Sequence, residues 1–166
     1  MAPSVVPTSS LADAFRDVMA EVCTPVAVVT TVSSGRPRGT TVSAFASLSL
    51  SPPMVLVSLD QGSDLLGALP EGARFGVNVL GSGQAVLAAA FARKGADKFA
   101  GVDWELDIGA PRLAGSPGWL ACRVDRLVRG GDHVIVLGEV LRAVADGGPP
   151  LTYHSRRFGT HHAMSL

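Results

Sequence analysis

The chain has 166 residues, which is long enough for one domain with a substantial hydrophobic core. Its 14 basic and 14 acidic side chains cancel, and one Tyr and two Trp offer few stacking platforms, so the composition argues against a nucleic-acid-binding protein. Hydrophobic residues make up 47% of the chain and charged residues only 17%, which indicates a compact apolar body whose surface is partly covered by another subunit.

The first ten residues contain two prolines and lack the positive start and apolar core of a signal peptide. No apolar run approaches the roughly 20 residues of a membrane span. We therefore expect a flexible leader at 1–10, a single domain at 11–166, and a cytoplasmic protein that does not bind membranes. In that compartment Cys23 and Cys122 are expected to be small buried hydrophobes, not a disulfide.

A helix is predicted directly after the leader. Ser9 or Ser10 can cap it, and Thr24-Pro25 ends it. Its apolar positions fall on one face, so we expect that face to pack on the body of the protein. These positions are Leu11, Phe15, Val18, Met19 and Val22.

A hydroxyl-rich segment follows the first strand. The β-branched run 26–32 predicts that strand, and a turn at 33–37 returns the chain as an antiparallel second strand. Because a buried hydroxyl without a partner costs about 1–3 kcal/mol, the hydroxyls either face a polar ligand or lie on the solvent face of a half-wet sheet. They belong to Thr40, Thr41, Ser43, Ser47, Ser49 and Ser51.

The remaining pattern alternates strands with short helices. In chain order it predicts strands at 54–59 and 75–80 with a short helix at 65–69 between them, an Ala-rich helix at 84–93, a loop at 95–101, a weak strand at 104–108, and a long hairpin of 118–128 and 133–144. Six or more strands with short helices between them predict a mainly β fold, an antiparallel barrel that is closed or nearly closed.

Five motifs, in the same order along about residues 15 to 160, resemble the short-chain flavin reductases. They are Gly39 to Pro53 with the apolar strand after it, Arg74 to Leu80, Asp97-Lys98-Phe99, Gly131-Asp132-His133 leading to Gly138-Glu139-Val140, and Pro150 to His154. The chain has no Gly-x-Ser-x-Gly elbow, no P-loop and no Gly-x-Gly-x-x-Gly after its first strand. That pattern fits a flavoprotein, because a flavin brings its own redox chemistry.

The resemblance implies an antiparallel split β-barrel, the FMN-binding split barrel, with a few short flanking helices. It implies a homodimeric NAD(P)H-dependent flavin reductase that transfers hydride to FAD or FMN, from NADH in preference to NADPH. The reduced flavin would diffuse to a partner flavin-dependent monooxygenase. A non-catalytic flavin-binding or storage protein on the same barrel is the alternative, and a pyridoxamine-phosphate-oxidase-like enzyme is a third reading.

The resemblance also implies the site residues. Ser58, Asp60 and Ser63 would form a phosphate seat at a helix start, and Lys98 would supply a cation. The full flavin-binding set is Thr40, Thr41, Val42, Ser43, Ser47, Leu48, Ser49, Ser58, Asp60, Ser63, Asn78, Lys98 and Phe99.

The nicotinamide-binding residues implied are His133, which we also take as catalytic, Tyr153, His154 and Arg156. Without the resemblance, His133 is a hairpin-turn histidine whose ring bonds a nearby carbonyl. The histidines at 154, 161 and 162 lack Cys or carboxylate partners at usable spacing, so we assign no metal.

Overall fold

The computed structural model describes residues 10–95 and 97–165, so nearly all of the predicted leader lies outside the described residues. Single 3-10 turns occur at Leu66–Ala68 and Ser82–Gln84. The other elements are α1 (Leu11–Ala20), β1 (Thr24–Pro25), β2 (Ala27–Ser33), β3 (Arg36–Val42), β4 (Phe45–Leu50), β5 (Pro53–Asp60), β6 (Arg74–Val79), α2 (Ala85–Ala92), β7 (Trp104–Asp107), β8 (Ala110–Leu113), β9 (Gly118–Gly130), β10 (His133–Ala145), β11 (Leu151–His154) and β12 (Arg157–Thr160).

Seven strands form one antiparallel sheet in the order β3-β2-β6-β9-β10-β5-β4. Its two edge strands, β3 and β4, are joined by only Ser43 and Ala44, so the sheet must curl until its edges lie close together. The Ser58 N–H donates to the Ala44 carbonyl at 2.8 Å, yet no ladder joins β3 to β4 in the described chain. The predicted antiparallel split barrel is confirmed.

Three apolar clusters form the core of the described chain, and the two larger ones position the site. Inside the curled sheet, Val57, Phe75 and Val136 are fully buried. A second cluster lies under α2, where Phe91 packs with Leu80 and with Leu151 of the C-terminal hairpin. Burial of these side chains therefore fixes both α2 and the chain's C-terminal part to the barrel.

The hydroxyl-rich segment is two strands and not the one predicted. It belongs to β3 and β4, which lie at opposite edges of the sheet and are separated at Ser43 and Ala44. Within β4, Ser47 is exposed and Ser49 is half-buried, so this half of the segment is compatible with either a polar ligand or solvent on that face.

Helix α1 begins where the sequence predicts, but its apolar face is not covered by the barrel. Ser10 caps it, accepting from the Asp13 N–H while the Asp13 carboxylate accepts from Ser10. No α1 residue is buried by the chain the structure describes, and Leu11 and Phe15 are 87% and 63% exposed. Polar contacts hold it instead, because the Ser155 N–H donates to the Ala20 carbonyl at 2.7 Å.

Two further expectations are corrected and two are confirmed. Cys23 is exposed, because it follows the uncovered helix, whereas Cys122 is buried as predicted. The short helix expected at 65–69 is only a 3-10 turn. The weak strand predicted at 104–108 is real and pairs with β8. Within the described residues, we find no helix with the length and apolar character required to cross a bilayer.

Candidate functional site

A cleft of about 860 Å³ opens beside β3. Gly39 and Thr40 form its inner wall, and the turn that follows β5 and the segment that follows α2 form its sides. Phe99 and Trp104 lie at its outer end. A cavity of this size can hold a cofactor.

The cleft is positively charged. Five cationic side chains line it, against three carboxylates, so it has two net positive charges. The cations are Arg36, Arg38, Arg93, Lys94 and Lys98, and the carboxylates are Asp60, Asp64 and Asp97. Guanidinium and ammonium groups gathered around a cavity favour a phosphate-bearing ligand.

Strand β3 is held tightly against α2 at the inner wall. A Cβ at Gly39 would lie 2.8 Å from Cε1 of Phe91, closer than van der Waals contact allows. The Thr41 hydroxyl donates to the Ala88 carbonyl at 2.6 Å. Glycine at 39 therefore permits the close approach that shapes the cleft.

Lys98 bridges β3 and α2 at the cleft. Its Nζ donates to the Gly39 carbonyl at 3.1 Å and to the Phe91 carbonyl at 2.9 Å. Burial lowers the pKa of Lys98, although the Asp64 carboxylate acts in the opposite direction. Because an ammonium has three N–H donors, one stays available for a phosphate oxygen.

In the turn after β5, two of the backbone N–H groups that the sequence predicts to be free are already hydrogen-bonded. The Gly62 N–H donates to the Asp60 carboxylate at 2.6 Å, and the Ser63 N–H donates to the Asp60 carbonyl at 2.9 Å. The Ser63 hydroxyl already accepts from Leu65 at 3.3 Å but keeps its own hydrogen to donate. The groups that this turn presents to the cleft are therefore the Ser63 hydroxyl and the neighbouring cations, not the start of a helix.

Five of the thirteen predicted flavin-binding residues line this cleft: Thr40, Asp60, Ser63, Lys98 and Phe99. Five others lie along the β4–β5 edge, outside the cleft lining, with Leu48 at a β-bulge. These are Ser43, Ser47, Leu48, Ser49 and Ser58. The structure therefore divides the predicted set between a cleft and an adjoining strand edge.

The last three predicted residues, Thr41, Val42 and Asn78, are directed into the protein. Val42 and Asn78 are buried, so any contact of these two residues with a flavin would be through backbone atoms. Asn78 serves the fold instead. Its amide donates to the Val28 carbonyl at 3.2 Å and its Oδ1 accepts from the Leu113 N–H at 2.7 Å, which ties β6 to β2 and β8.

His133 begins β10 and pairs across the sheet with Asp60, at the end of β5 that forms the cleft. Its Nδ1 lies 2.7 Å from the Asp132 carboxylate, not against a carbonyl as a hairpin-turn histidine would be. That hydrogen bond lowers the pKa of Asp132. The Gln61 side chain braces the same turn by donating to the Gly131 carbonyl at 2.8 Å.

Tyr153, His154 and Arg156 lie elsewhere, on the hairpin of β11 and β12 beside α1. The Arg156 guanidinium donates a hydrogen bond to the Asp17 carboxylate at 2.8 Å, and His154 Nε2 lies 3.8 Å from the Glu21 carboxylate. In the part of the chain that the structure describes, none of the three lines the cleft. One chain therefore does not bring them together with Thr40 and Lys98.

Most of the cleft lining was not predicted from the sequence, including four of its five cations and Trp104. Arg36 and Arg38 flank Pro37 just before the hydroxyl-rich segment, and Arg93 and Lys94 directly follow α2, so paired cations beside predicted elements were a usable signal. Trp104 had no local signal, because the packing of the β7–β8 hairpin brings it to the cleft. Among residues 10–95 and 97–165, no three His, Cys, Asp or Glu side chains group as metal ligands would.

The chain is similar to known flavin reductases in sequence and in fold. Residues 19–162 match the model of the flavin reductase like domain. The reductase component of a 4-nitrophenol 4-monooxygenase/4-nitrocatechol 2-monooxygenase from Rhodococcus opacus is 43% identical over 145 residues, which cover 87% of this chain and 78% of that protein. An NADH-dependent FMN reductase from Agrobacterium fabrum is 39% identical, covering 93% of this chain and 88% of the relative.

A similar solved structure is the NADH:FAD oxidoreductase of Streptomyces globisporus C-1027 in complex with NAD and FAD fragments. It is 38% identical and superposes with a TM-score of 0.84, covering 95% of this chain and 98% of that one. The names of these relatives include both FMN and FAD, so they leave the choice of flavin to the residues of this chain.

Proposed function

Because this chain belongs to the flavin reductase like family, we propose that it is an oxidoreductase that transfers hydride from NADH to FAD or FMN and supplies the reduced flavin to a partner monooxygenase. The observation that carries the assignment of the site is the cleft beside β3. It is large enough for a cofactor, has two net positive charges, and presents hydroxyl and aromatic side chains together.

The residues of the cleft fit a flavin nucleotide. Lys98 and the Ser63 hydroxyl would hold its phosphate, with Arg93 and Lys94 at the rim. The Thr40 hydroxyl and the polar edge of β3 to β4 would contact the ring system. A bound flavin supplies the hydride-accepting nitrogen N5, so the protein has to bind, orient and control access.

We assign the positioning of nicotinamide to His133. Its ring lies beside Asp60 at the cleft's end of the sheet and is oriented by the Asp132 carboxylate. Because the Nδ1–H is donated to Asp132, Nε2 of the neutral imidazole can accept a hydrogen bond from the carboxamide NH2 of the nicotinamide and so keep the reactive carbon close to the flavin. Catalysis of this kind consists of positioning the nicotinamide against the flavin.

We further propose a homodimer that works in the cytoplasm, where NADH is available. Helix α1 exposes an apolar face, and the neighbouring Tyr153 and Phe158 are 37% and 41% exposed. A second copy of the chain would cover this surface and would bring its own hairpin of β11 and β12 to the assembly.

Steady-state kinetics test the proposed function. Purified protein is mixed with free FAD or FMN in large excess over protein, and NADH or NADPH is added while the reduced-nicotinamide absorbance is followed. We expect many turnovers per protein molecule, faster with NADH, because reduced flavin must leave for the partner. Binding of flavin without NADH oxidation would instead identify a storage protein and contradict the reductase.

A further inference from the structure

Trp104 forms the outer end of the cleft and is only partly covered. It is 38% exposed, whereas Trp119, the other Trp of the chain, is 1% exposed. Its ring stands at 73° to Phe99 with the centroids 5.7 Å apart, and Phe99 packs in turn on Phe91 at 5.0 Å. The indole is therefore fixed by an aromatic stack while part of its surface faces the cleft.

Trp104 also lines a second cavity, of about 490 Å³. Three carboxylates line that cavity against one guanidinium. They belong to Asp103, Glu105 and Asp146, and the guanidinium to Arg112, which lies 3.0 Å from Asp146 and 3.6 Å from Glu105. Trp104 is therefore shared by two linings of opposite net charge, the cationic lining of the cleft and the acidic lining of the second cavity.

This order of groups matches an adenosine phosphate. The cations of the cleft suit phosphate oxygens, the indole suits a purine ring, and the acidic cavity suits the exocyclic amine of adenine, which is a hydrogen-bond donor. FMN has no adenine, whereas FAD and NADH both have one. The cleft is continuous with Thr40 and Lys98, which we assign to flavin, while the nicotinamide candidates of β11 and β12 lie elsewhere.

We propose that Trp104 stacks on the adenine of FAD and so makes this enzyme prefer FAD to FMN. The proposal rests on the proposed function, because it assigns the rest of the cleft to the flavin. Base stacking on an aromatic side chain changes affinity by about tenfold. The preference for FAD over FMN should therefore be lost when Trp104 is replaced and kept when another exposed apolar residue of the β7–β8 hairpin is replaced.

Three variants measured with both flavins test the proposal. We expect Trp104→Ala to raise KM for FAD about tenfold and to leave KM for FMN and for NADH within about twofold. Trp104→Phe keeps a stacking ring and should retain most of the FAD affinity. Leu106→Ala, on the same hairpin but outside the cleft lining, is the matched control and should change neither constant.

Calorimetric titration with FAD and FMN in the absence of NADH gives the same comparison as dissociation constants. Because this titration needs no NADH turnover, it tests the role of Trp104 independently of the reductase activity. A protein that failed to oxidise NADH would contradict the proposed function but not the stacking of Trp104 on adenine. Tryptophan emission on titration with AMP is a third readout. We expect AMP to quench wild-type emission and to leave that of Trp104→Phe, which retains only buried Trp119, unchanged.

Two results would overturn the proposal. Equal weakening of FAD and FMN by Trp104→Ala would show that Trp104 supports the shape of the cleft and not an adenine. A rise in KM for NADH alone would assign the adenine to the nicotinamide nucleotide.

Discussion

His133 is placed to separate nicotinamide binding from flavin binding. Its ring is oriented by Asp132 and lies beside the cleft without being part of the cleft lining. We expect His133→Ala to lower kcat/KM for NADH about tenfold, the effect of one lost hydrogen bond to a polar ligand, while the dissociation constant for flavin changes little.

The measurement is steady-state kinetics with NADH varied at saturating flavin, together with a flavin titration. His161→Ala, an exposed histidine after β12, is the control and should behave as wild type. Equal loss of NADH and flavin affinity would mean that the turn is structural and that His133 has no direct part in nicotinamide binding.

Cys122 gives the protein a pH-dependent stability. Burial raises the pKa of this thiol to about 12 from its ordinary value of 9.0. The unfolded chain therefore loses the proton first, so the stabilising contribution is complete below about 9 and is lost as pH rises towards about 12. We expect the wild-type unfolding free energy to fall over this range by about 1.4 kcal/mol per pH unit more than that of Cys122→Ala.

Urea unfolding at a series of alkaline pH values measures this difference. Because both proteins carry the same other titrating groups, the difference between their slopes isolates Cys122. Parallel slopes would show that the thiol ionises as readily in the fold as in the unfolded chain.

At the level of elements, the contact of β3 with α2 sets the width of the cleft. A Cβ at Gly39 would lie 2.8 Å and 2.9 Å from two ring carbons of Phe91, which is fully buried and cannot swing away. We expect Gly39→Ala to cost about 1–3 kcal/mol of unfolding free energy, as overpacking does, and to weaken flavin binding because β3 carries Thr40.

Urea or thermal unfolding measures the loss of stability of Gly39→Ala, and a flavin titration measures its affinity for flavin. Gly83→Ala is the matched control, because its added Cβ meets nothing within 4 Å. Unchanged flavin affinity in a destabilised Gly39→Ala protein would show that the cleft does not depend on this contact.

The sequence predicts those elements whose determinants are local. The β-branched run predicts strand β2, and the Gly130-Gly131 turn predicts the hairpin of β9 and β10. Both are present in the structure. The break at Ser43 and Ala44 could not be predicted in this way, because it results from the curling of the whole sheet. The same holds for Asn78, whose partners Val28 and Leu113 come from other strands.

The candidate site was predictable in part for the same reason. Thr40 and Lys98 belong to motifs that the sequence displays, whereas Trp104 reaches the cleft only through the packing of Phe99 and Phe91. A residue that joins a site by tertiary packing leaves no mark in the sequence near it.

At the level of the whole molecule, α1 is an element that the rest of the described chain leaves uncovered. None of its residues is buried within the described chain. Phe15 and Val18, which lie on one apolar face, are 63% and 66% exposed. Because the barrel core does not include them, changing them should not unfold the chain. We expect wild-type protein to have twice the 17.1 kDa mass of one chain and the double variant Phe15→Glu, Val18→Glu to be a monomer.

Light scattering coupled to size-exclusion chromatography measures both masses. The control Leu106→Glu places one negative charge on an equally exposed apolar residue of the β7–β8 hairpin, away from α1, and should stay dimeric. A wild-type mass of one chain would contradict the dimer, and a dimeric double variant would exclude α1 from the interface.

The monomeric variant also tests where the β11–β12 hairpin acts. Tyr153, His154 and Arg156 are held beside α1 and do not line the cleft of their own chain in the described structure. They can serve nicotinamide only at the cleft of a second copy, so we expect the monomer to bind flavin as wild type does. Its kcat/KM for NADH should fall by about tenfold or more, because charged hydrogen-bonding groups are lost from the site. A monomer with undiminished NADH kinetics would remove these three residues from the mechanism and leave His133 as the nicotinamide contact.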